Sequence, residues 1–214
     1  MKIINGWAVP SWDEFMAKEM KPDGSYQRGH LDAAMKYVKG YMVAVDGGAH
    51  IGTWTKIMSR YFDNVLSFEP AADTFECLKW NKENQRWPNI TLYQQALGSQ
   101  PGRCKMTLEG FDRAILLKNT GARFVRPGNE VDVITLDSLN LKHLDFLKLD
   151  VEGSEVSALM GAMDTLNRLR PVVLFEDKGL WKRYGHERQA PHKILRKLGF
   201  KKLERVKMDE IWSG

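Results

Sequence analysis

The chain is expected to fold as a doubly wound α/β sheet. Three observations lead there. From residue 41 onward short apolar runs alternate with stretches of helical periodicity, the first of these runs ends in a glycine-rich turn carrying an aspartate, and 214 residues suit a single core. Strands that alternate with amphipathic helices pair in parallel through right-handed crossovers.

Taken in order, "YMVAV" is the first strand of the alternation, and Trp54, Ile57, Met58 and Tyr61 after it share one helical face. "NVLSF" is the second strand. "ADTFECLKWNKEN" is the next helix, which Asp73 and Glu76 open as a capping box. "ITLYQQAL" is a third strand. "LDFLKL" precedes a helix with Val156, Leu159, Met160 and Met163 on one face, and "PVVLF" follows it. Two parts stand outside this alternation. Residues 1–40 are expected to form a helical cover over the sheet tips, with one short helix opened by Ser11 and Glu14 and a second burying Leu31, Ala34, Met35 and Val38. Residues 99–130 are rich in glycine and β-formers, which makes them an inserted hairpin plus loop rather than a crossover helix. The whole is one domain, 1–214, with its core at 41–214.

Composition narrows the class. Apolar residues make up 43% of the chain, and no apolar run approaches the roughly 20 residues that span a bilayer. "MKIINGWAVPSWDEF" meets Asp13 and Glu14 before any apolar region of signal-peptide length, so the expectation is a cytoplasmic protein without membrane contact. Cys77 and Cys104 lack a C-x-x-C spacing and suggest neither a disulfide framework nor a zinc site. The net charge is +5, yet between Lys178 and Lys207 there are 11 Lys or Arg against Glu187 and Glu204, leaving the rest of the chain acidic by 4. Such a run is most often a solvated face; its functional reading is contact with an anionic partner.

"VAVDGGAHIGTWT", residues 43–55, occupies the place where α/β sheets bind ligands, the turn from a strand tip into a helix. A dinucleotide fingerprint needs glycines at i, i+2 and i+5; counted from Gly47 the second falls on Ala49. A phosphate loop fails because Gly52 is followed by Thr53. Asp46 would meet a pyrophosphate with like charge but would welcome an ammonium. S-adenosylmethionine satisfies these conditions: it carries an amine and a sulfonium, a carboxylate for helix N–H groups, and no phosphate. Glu69, 23 residues after Asp46 at the end of "LSFEP", is placed to accept from a ribose diol. The plainer alternative is that Asp46 and Glu69 cap helices while the glycines only turn the chain.

A third cluster lies in "FLKLDVEGSEVSALMGA". Asp150 ends a strand beside the Asp46 turn, at the switch point where a transferred group belongs. Glu152 and Glu155 begin the next helix, where the dipole alone favours acids. Glu176 and Asp177 end the adjacent strand. For attack by a hydroxyl, candidate bases are Asp150, Glu152, Glu176 and His186. Asp150, Glu152 and Glu176 could instead hold a divalent cation such as magnesium, although nothing in the spacing requires one.

"VDGGAHIGTWT", "FEP", "VITLDSL", "DFLKLDVEGSEVSALMGA" and "PVVLFE", in this order over residues 41–178, resemble the motifs of FkbM-type methyltransferases. The resemblance implies a Rossmann-like seven-stranded sheet of order 3-2-1-4-5-7-6 with the last strand antiparallel. "PHKILRKLGF" would be its final helix, with "KKLERVKM" and "DEIWSG" its closing pair. It implies S-adenosylmethionine as cofactor, contacts for Asp46, Gly48, Gly52, Thr55 and Glu69, and a place for Asp150 beside the methyl donor. Gly47, Ala49 and His50 of the same turn, with Ala96 in the third strand run, complete the candidate set. Gly47 and His50 depart from the family's usual valine and asparagine, and Asp177 and Lys178 stand where the family often has a histidine nearby.

The activity expected is O-methylation of a hydroxyl on a sugar or other small molecule, the acceptor being carbohydrate or anionic. Two rivals are a nucleic-acid methyltransferase using the basic segment and a nucleoside-binding scaffold without catalysis. The Asp/Asn-Pro-Pro-aromatic motif of amino-methylating DNA enzymes is absent and no RNA-binding module is recognisable, so nucleic acid is not the expected partner.

Overall fold

The computed structural model describes residues 1–23, 26–108 and 118–214. Its centre is a seven-stranded sheet. β3 (Val43–Gly47), β4 (Asn64–Phe68) and β5 (Ile90–Tyr93) run parallel on one side, and β10 (Phe146–Leu149) and β11 (Val172–Glu176) on the other. Beyond β11 comes β13 (Asp209–Ser213), antiparallel to β11 and to the edge strand β12 (Lys201–Val206), giving the spatial order β12-β13-β11-β10-β3-β4-β5.

The central strands are mostly apolar because both faces are covered. Alternate residues feed two cores. Ala44, Val65, Phe146 and Val172 point to one face, where they meet α3 (Thr53–Met58) and α4 (Ala72–Asn84) through Trp54, Met58 and Leu78. Val45, Leu147, Val173 and Phe175 point to the other, against Leu159, Leu166 and Leu195 of α5 (Glu155–Met160), α6 (Met163–Leu169) and α7 (Ala190–Lys197). No helix among the described residues is long and apolar enough to cross a membrane.

Several local expectations are corrected. The amino-terminal region is not wholly helical: β1 (Lys2–Ile4) and β2 (Trp7–Val9) form a hairpin whose turn residues Asn5 and Gly6 have φ of 50° and 80°, the left-handed pair a two-residue turn needs. α1 (Glu14–Glu19) is capped by Asp13, whose Oδ1 accepts the Met16 N–H at 2.7 Å, and not by Ser11. α2 (Arg28–Met35) ends before Val38. Asp73 is no cap; Ala71 holds that position and Asp73 pairs with Arg123. The helix expected to run through Met163 breaks at Gly161, where a Cβ would lie 1.9 Å from the Gly98 carbonyl oxygen, and Met160 is half exposed.

The third strand run splits. Beyond β5 the chain leaves the main sheet, and β6 (Ala96–Leu97) pairs with β9 (Val131–Ile134) in a second sheet of order β6-β9-β7-β8. In it β7 (Gly102–Thr107) and β8 (Phe124–Pro127) pair antiparallel, so the expected insertion is part of a four-stranded sheet; its residues 109–117 lie outside the described residues.

Candidate functional site

Register fixes which residues meet at the sheet's carboxyl edge. Gly47 is level with Phe68 on one side and Leu149 on the other, and Leu149 with Phe175. The next residues, Gly48, Glu69, Asp150 and Glu176, therefore emerge side by side. They line a cavity of about 1060 Å³ counting its open mouth, roofed by Tyr26 and Gln27 from the amino-terminal segment and by Thr120, Arg123 and Val125 from the insertion.

Of the candidate cofactor residues, Gly48, Ala49, His50, Glu69, Ala96 and Asp150 line this cavity, and Asp46, Gly47, Gly52 and Thr55 do not. Asp46 is fully enclosed beneath it. Its Oδ1 pairs with Lys148 Nζ at 2.9 Å and its Oδ2 accepts from Thr55 Oγ1 at 2.6 Å, so the expected direct meeting of Asp46 with a ligand ammonium is corrected. Lys148 also donates to the Gly48 carbonyl at 2.8 Å. Burial opposes its charge, but Asp46 and Asp150 outweigh that and lift its pKa above the ordinary value. Gly52, at φ 95°, turns the chain into α3, and a Cβ there would press on Leu78 at 2.6 Å. Gly47 packs against Leu149 in the same manner.

Glu69 is buried at the tip of β4. Its Oε1 accepts from Ala71 N at 2.9 Å and Thr74 Oγ1 at 3.1 Å, its Oε2 from His50 N at 2.9 Å. Burial raises its pKa. Oε2 carries one of these bonds and a carboxylate oxygen can accept two, so capacity for a ligand hydroxyl remains.

At the other end of the cavity, Asp150, Glu152 and Glu176 bring carboxylate oxygens within 4.8 Å of one another. Lys178 Nζ bridges two of them, at 3.0 Å from Glu152 and 2.7 Å from Glu176. Burial first, and Asp150 second, push the Glu176 pKa up to about 9 and raise that of Glu152. Lys178 is lifted above its usual range by Glu152, Asp150 and Glu176 in spite of its burial. Tyr26 is pushed up to about 12 by burial and Asp150. The Asp150 carboxylate has no hydrogen-bond partner among the described residues. Beside it, Glu155 Oε1 accepts from Gly153 N at 3.1 Å. Asp150 thus offers acceptor oxygens to whatever enters.

His186 does not line the cavity; its backbone N–H donates to the Trp181 carbonyl at 3.4 Å on the far side of the 3₁₀ turn Leu180–Tyr184. Residues that sequence reasoning did not single out include Tyr26, Thr120, Arg123 and Lys148. Lys148 alone carried a signal, a charge inside the apolar run "FLKL".

Comparison with known proteins places these features. The family model of the methyltransferase FkbM domain matches residues 46–202. Methyltransferase 1 of Beauveria bassiana (strain ARSEF 2860) is 30% identical over 144 residues, 56% of this chain and 58% of its own length. The chain thus spans little more than half of that curated relative. Among solved structures, the methyltransferase FkbM from Methylobacillus flagellatus KT is similar with a TM-score of 0.52 and 18% identity, over 94% of this chain and 49% of that one. The precorrin-6y C5,15-methyltransferase of Geobacter metallireducens GS-15 gives 0.51 and 13% identity over 88% of each. A Streptococcus mutans protein solved in complex with SAH gives 0.51 and 12% identity over 87% of this chain and 96% of that one. These three likenesses carry the fold.

Proposed function

The chain belongs to the FkbM methyltransferase family, and on that premise we propose that it transfers the methyl group of S-adenosylmethionine to a hydroxyl oxygen of a small carbohydrate-like acceptor. The observation that carries the reading is one continuous cavity with Glu69, a buried carboxylate with acceptor capacity to spare, at one end and Asp150, a carboxylate without hydrogen-bond donors among the described residues, at the other.

The cofactor fits the groups present. Glu69 keeps acceptor capacity for a diol, and Gly48 has no Cβ to crowd the tip between β3 and β10. When bound, S-adenosylmethionine supplies an activated methyl group on a sulfonium. What remains for the chain itself is alignment and proton removal. Asp150 would orient the acceptor hydroxyl and accept its proton. Lys178 holds Glu152 and Glu176 in one cluster beside it.

Of the basic residues between Lys178 and Lys207, Lys178 alone faces the cavity among the described residues, and it is already paired with carboxylates. This favours a neutral, hydroxyl-rich acceptor over an anionic one. The test is incubation of the full chain with methyl-tritiated S-adenosylmethionine and separate pools of free sugars, sugar phosphates, nucleotide sugars and RNA. Label in an O-methyl ether of a neutral sugar is expected. Label on nitrogen or carbon, or in RNA, would overturn the reading, and cofactor left unconsumed with every acceptor would favour a binding protein.

A further inference from the structure

The cofactor's amino-acid end needs an acceptor for its ammonium group, and the Asp46 carboxylate is committed to Lys148 and Thr55 beneath the cavity. The turn above it holds another acceptor. His50 lines the cavity and has a left-handed backbone, φ 52°. Its ring Nε2 lies 2.5 Å from Thr120 Oγ1. Thr120 has one hydroxyl hydrogen, which it donates to Asp13 Oδ2; the same oxygen accepts the Thr120 N–H at 2.9 Å, while Asp13 Oδ1 accepts the Met16 N–H. With its hydrogen so committed, Thr120 Oγ1 can only accept from His50, and the ring hydrogen sits on Nε2. Nδ1 keeps its lone pair and has no hydrogen-bond partner among the described residues. Burial holds the ring neutral, pushing its pKa down to about 4.

We propose that His50 Nδ1 accepts a hydrogen bond from the α-ammonium of S-adenosylmethionine, and that Asp13 and Thr120 are positioning residues that fix the tautomer presenting it. The proposal rests on the cofactor reading above. It gives the amino-terminal segment and the insertion a specific role in the site, because Asp13 lies outside the stretch matched by the family model and anchors Thr120 and the first helix through one fully buried carboxylate. His50 N also donates to Glu69, so one residue joins the ribose acceptor to the ammonium acceptor.

The test uses two ligands that share adenosine and a thioether, S-adenosylhomocysteine and 5′-methylthioadenosine, of which only the first has the amino-acid group. Both are titrated calorimetrically into the full-length wild type and into His50→Gly, Thr120→Val and Thr120→Ser. Glycine accepts the left-handed backbone and removes the ring. His50→Gly is expected to weaken S-adenosylhomocysteine at least about 10-fold, the scale of a hydrogen bond to a charged group, and to leave 5′-methylthioadenosine within about 2-fold. Thr120→Val should lower the same ratio of affinities and Thr120→Ser should restore it. Equal weakening of both ligands, or an unchanged ratio in Thr120→Val, overturns the proposal. If His50→Gly does not fold, the two Thr120 variants decide by that ratio. A wild type that binds neither ligand defeats the cofactor reading as well, whereas one that binds both with a ratio indifferent to every variant defeats this inference alone.

Discussion

Gly48 is where the architecture is most exposed to a single added methyl group. It follows the last residue of β3 with φ 78°, and a Cβ built on it would lie 1.9 Å from the Asp150 carbonyl oxygen and 2.9 Å from the carbonyl carbon. Alanine there meets two costs. The left-handed backbone costs about 1–2 kcal/mol. Relief of a backbone clash by separating the tips of β3 and β10 costs about 1–3 kcal/mol more. Gly6 isolates the first cost, because it has nearly the same φ, 80°, and nothing within 4 Å of its Cβ position. Urea unfolding should therefore show Gly48→Ala less stable than Gly6→Ala by about 1–3 kcal/mol. Since the two tips are cavity walls, Gly48→Ala should also lose S-adenosylhomocysteine affinity in calorimetry while Gly6→Ala keeps it. Equal stability of the two variants with equal affinity would refute the close contact as the reason for this glycine.

Asp150→Asn keeps the shape of the side chain and removes its charge; the protein should fold and bind cofactor, with turnover down at least about 100-fold in a methyl-transfer assay, and near-normal turnover would remove Asp150 as the base. Glu69→Gln should weaken S-adenosylhomocysteine by about 1–3 kcal/mol in calorimetry, and unchanged affinity would make Glu69 only a cap for Ala71 and His50. Lys148→Met leaves Asp46 enclosed without its ion pair and should cost about 3–5 kcal/mol in urea unfolding, a loss that the paired Asp46→Asn change should partly recover. Glu155 has its pKa raised by burial from 4.5 to about 7, so its contribution to stability is present below the unfolded value and lost as pH rises through the folded one. Glu155→Gln, which removes that titration, should be more stable relative to wild type at pH 8 than at pH 4.5 by up to about 3 kcal/mol, and parallel pH profiles would contradict the burial argument.

The frame of the site was legible because its signals are local. Apolar runs ending in Asp46, Glu69, Asp150 and Glu176 needed only parallel pairing to bring their tips together. Asn5-Gly6 was equally legible, a strong hairpin signal between two apolar runs, but the helical periodicity elsewhere in residues 1–40 masked it. The fate of Asp46 was not legible. Lys148 lies opposite it only in the β3–β10 register, and that pairing joins residues 102 apart in the chain. Asp13 and Thr120 are 107 apart and meet through the packing of the first helix on the insertion, which no spacing announces. Asp73 satisfied the capping pattern but found Arg123, 50 residues away, because a bidentate guanidinium pair is stronger than one N–H at a helix end.

The measurement that tests the central claim most directly is calorimetric titration of the full chain with S-adenosylhomocysteine and, separately, with NAD. The cavity keeps a carboxylate with spare acceptor capacity, Glu69, lacks the second glycine of a dinucleotide turn, and ends among Asp150, Glu152 and Glu176, where a pyrophosphate would meet like charge. The expected result is saturable binding of S-adenosylhomocysteine at one site per chain and no heat with NAD. Saturable binding of NAD with none of S-adenosylhomocysteine would contradict it.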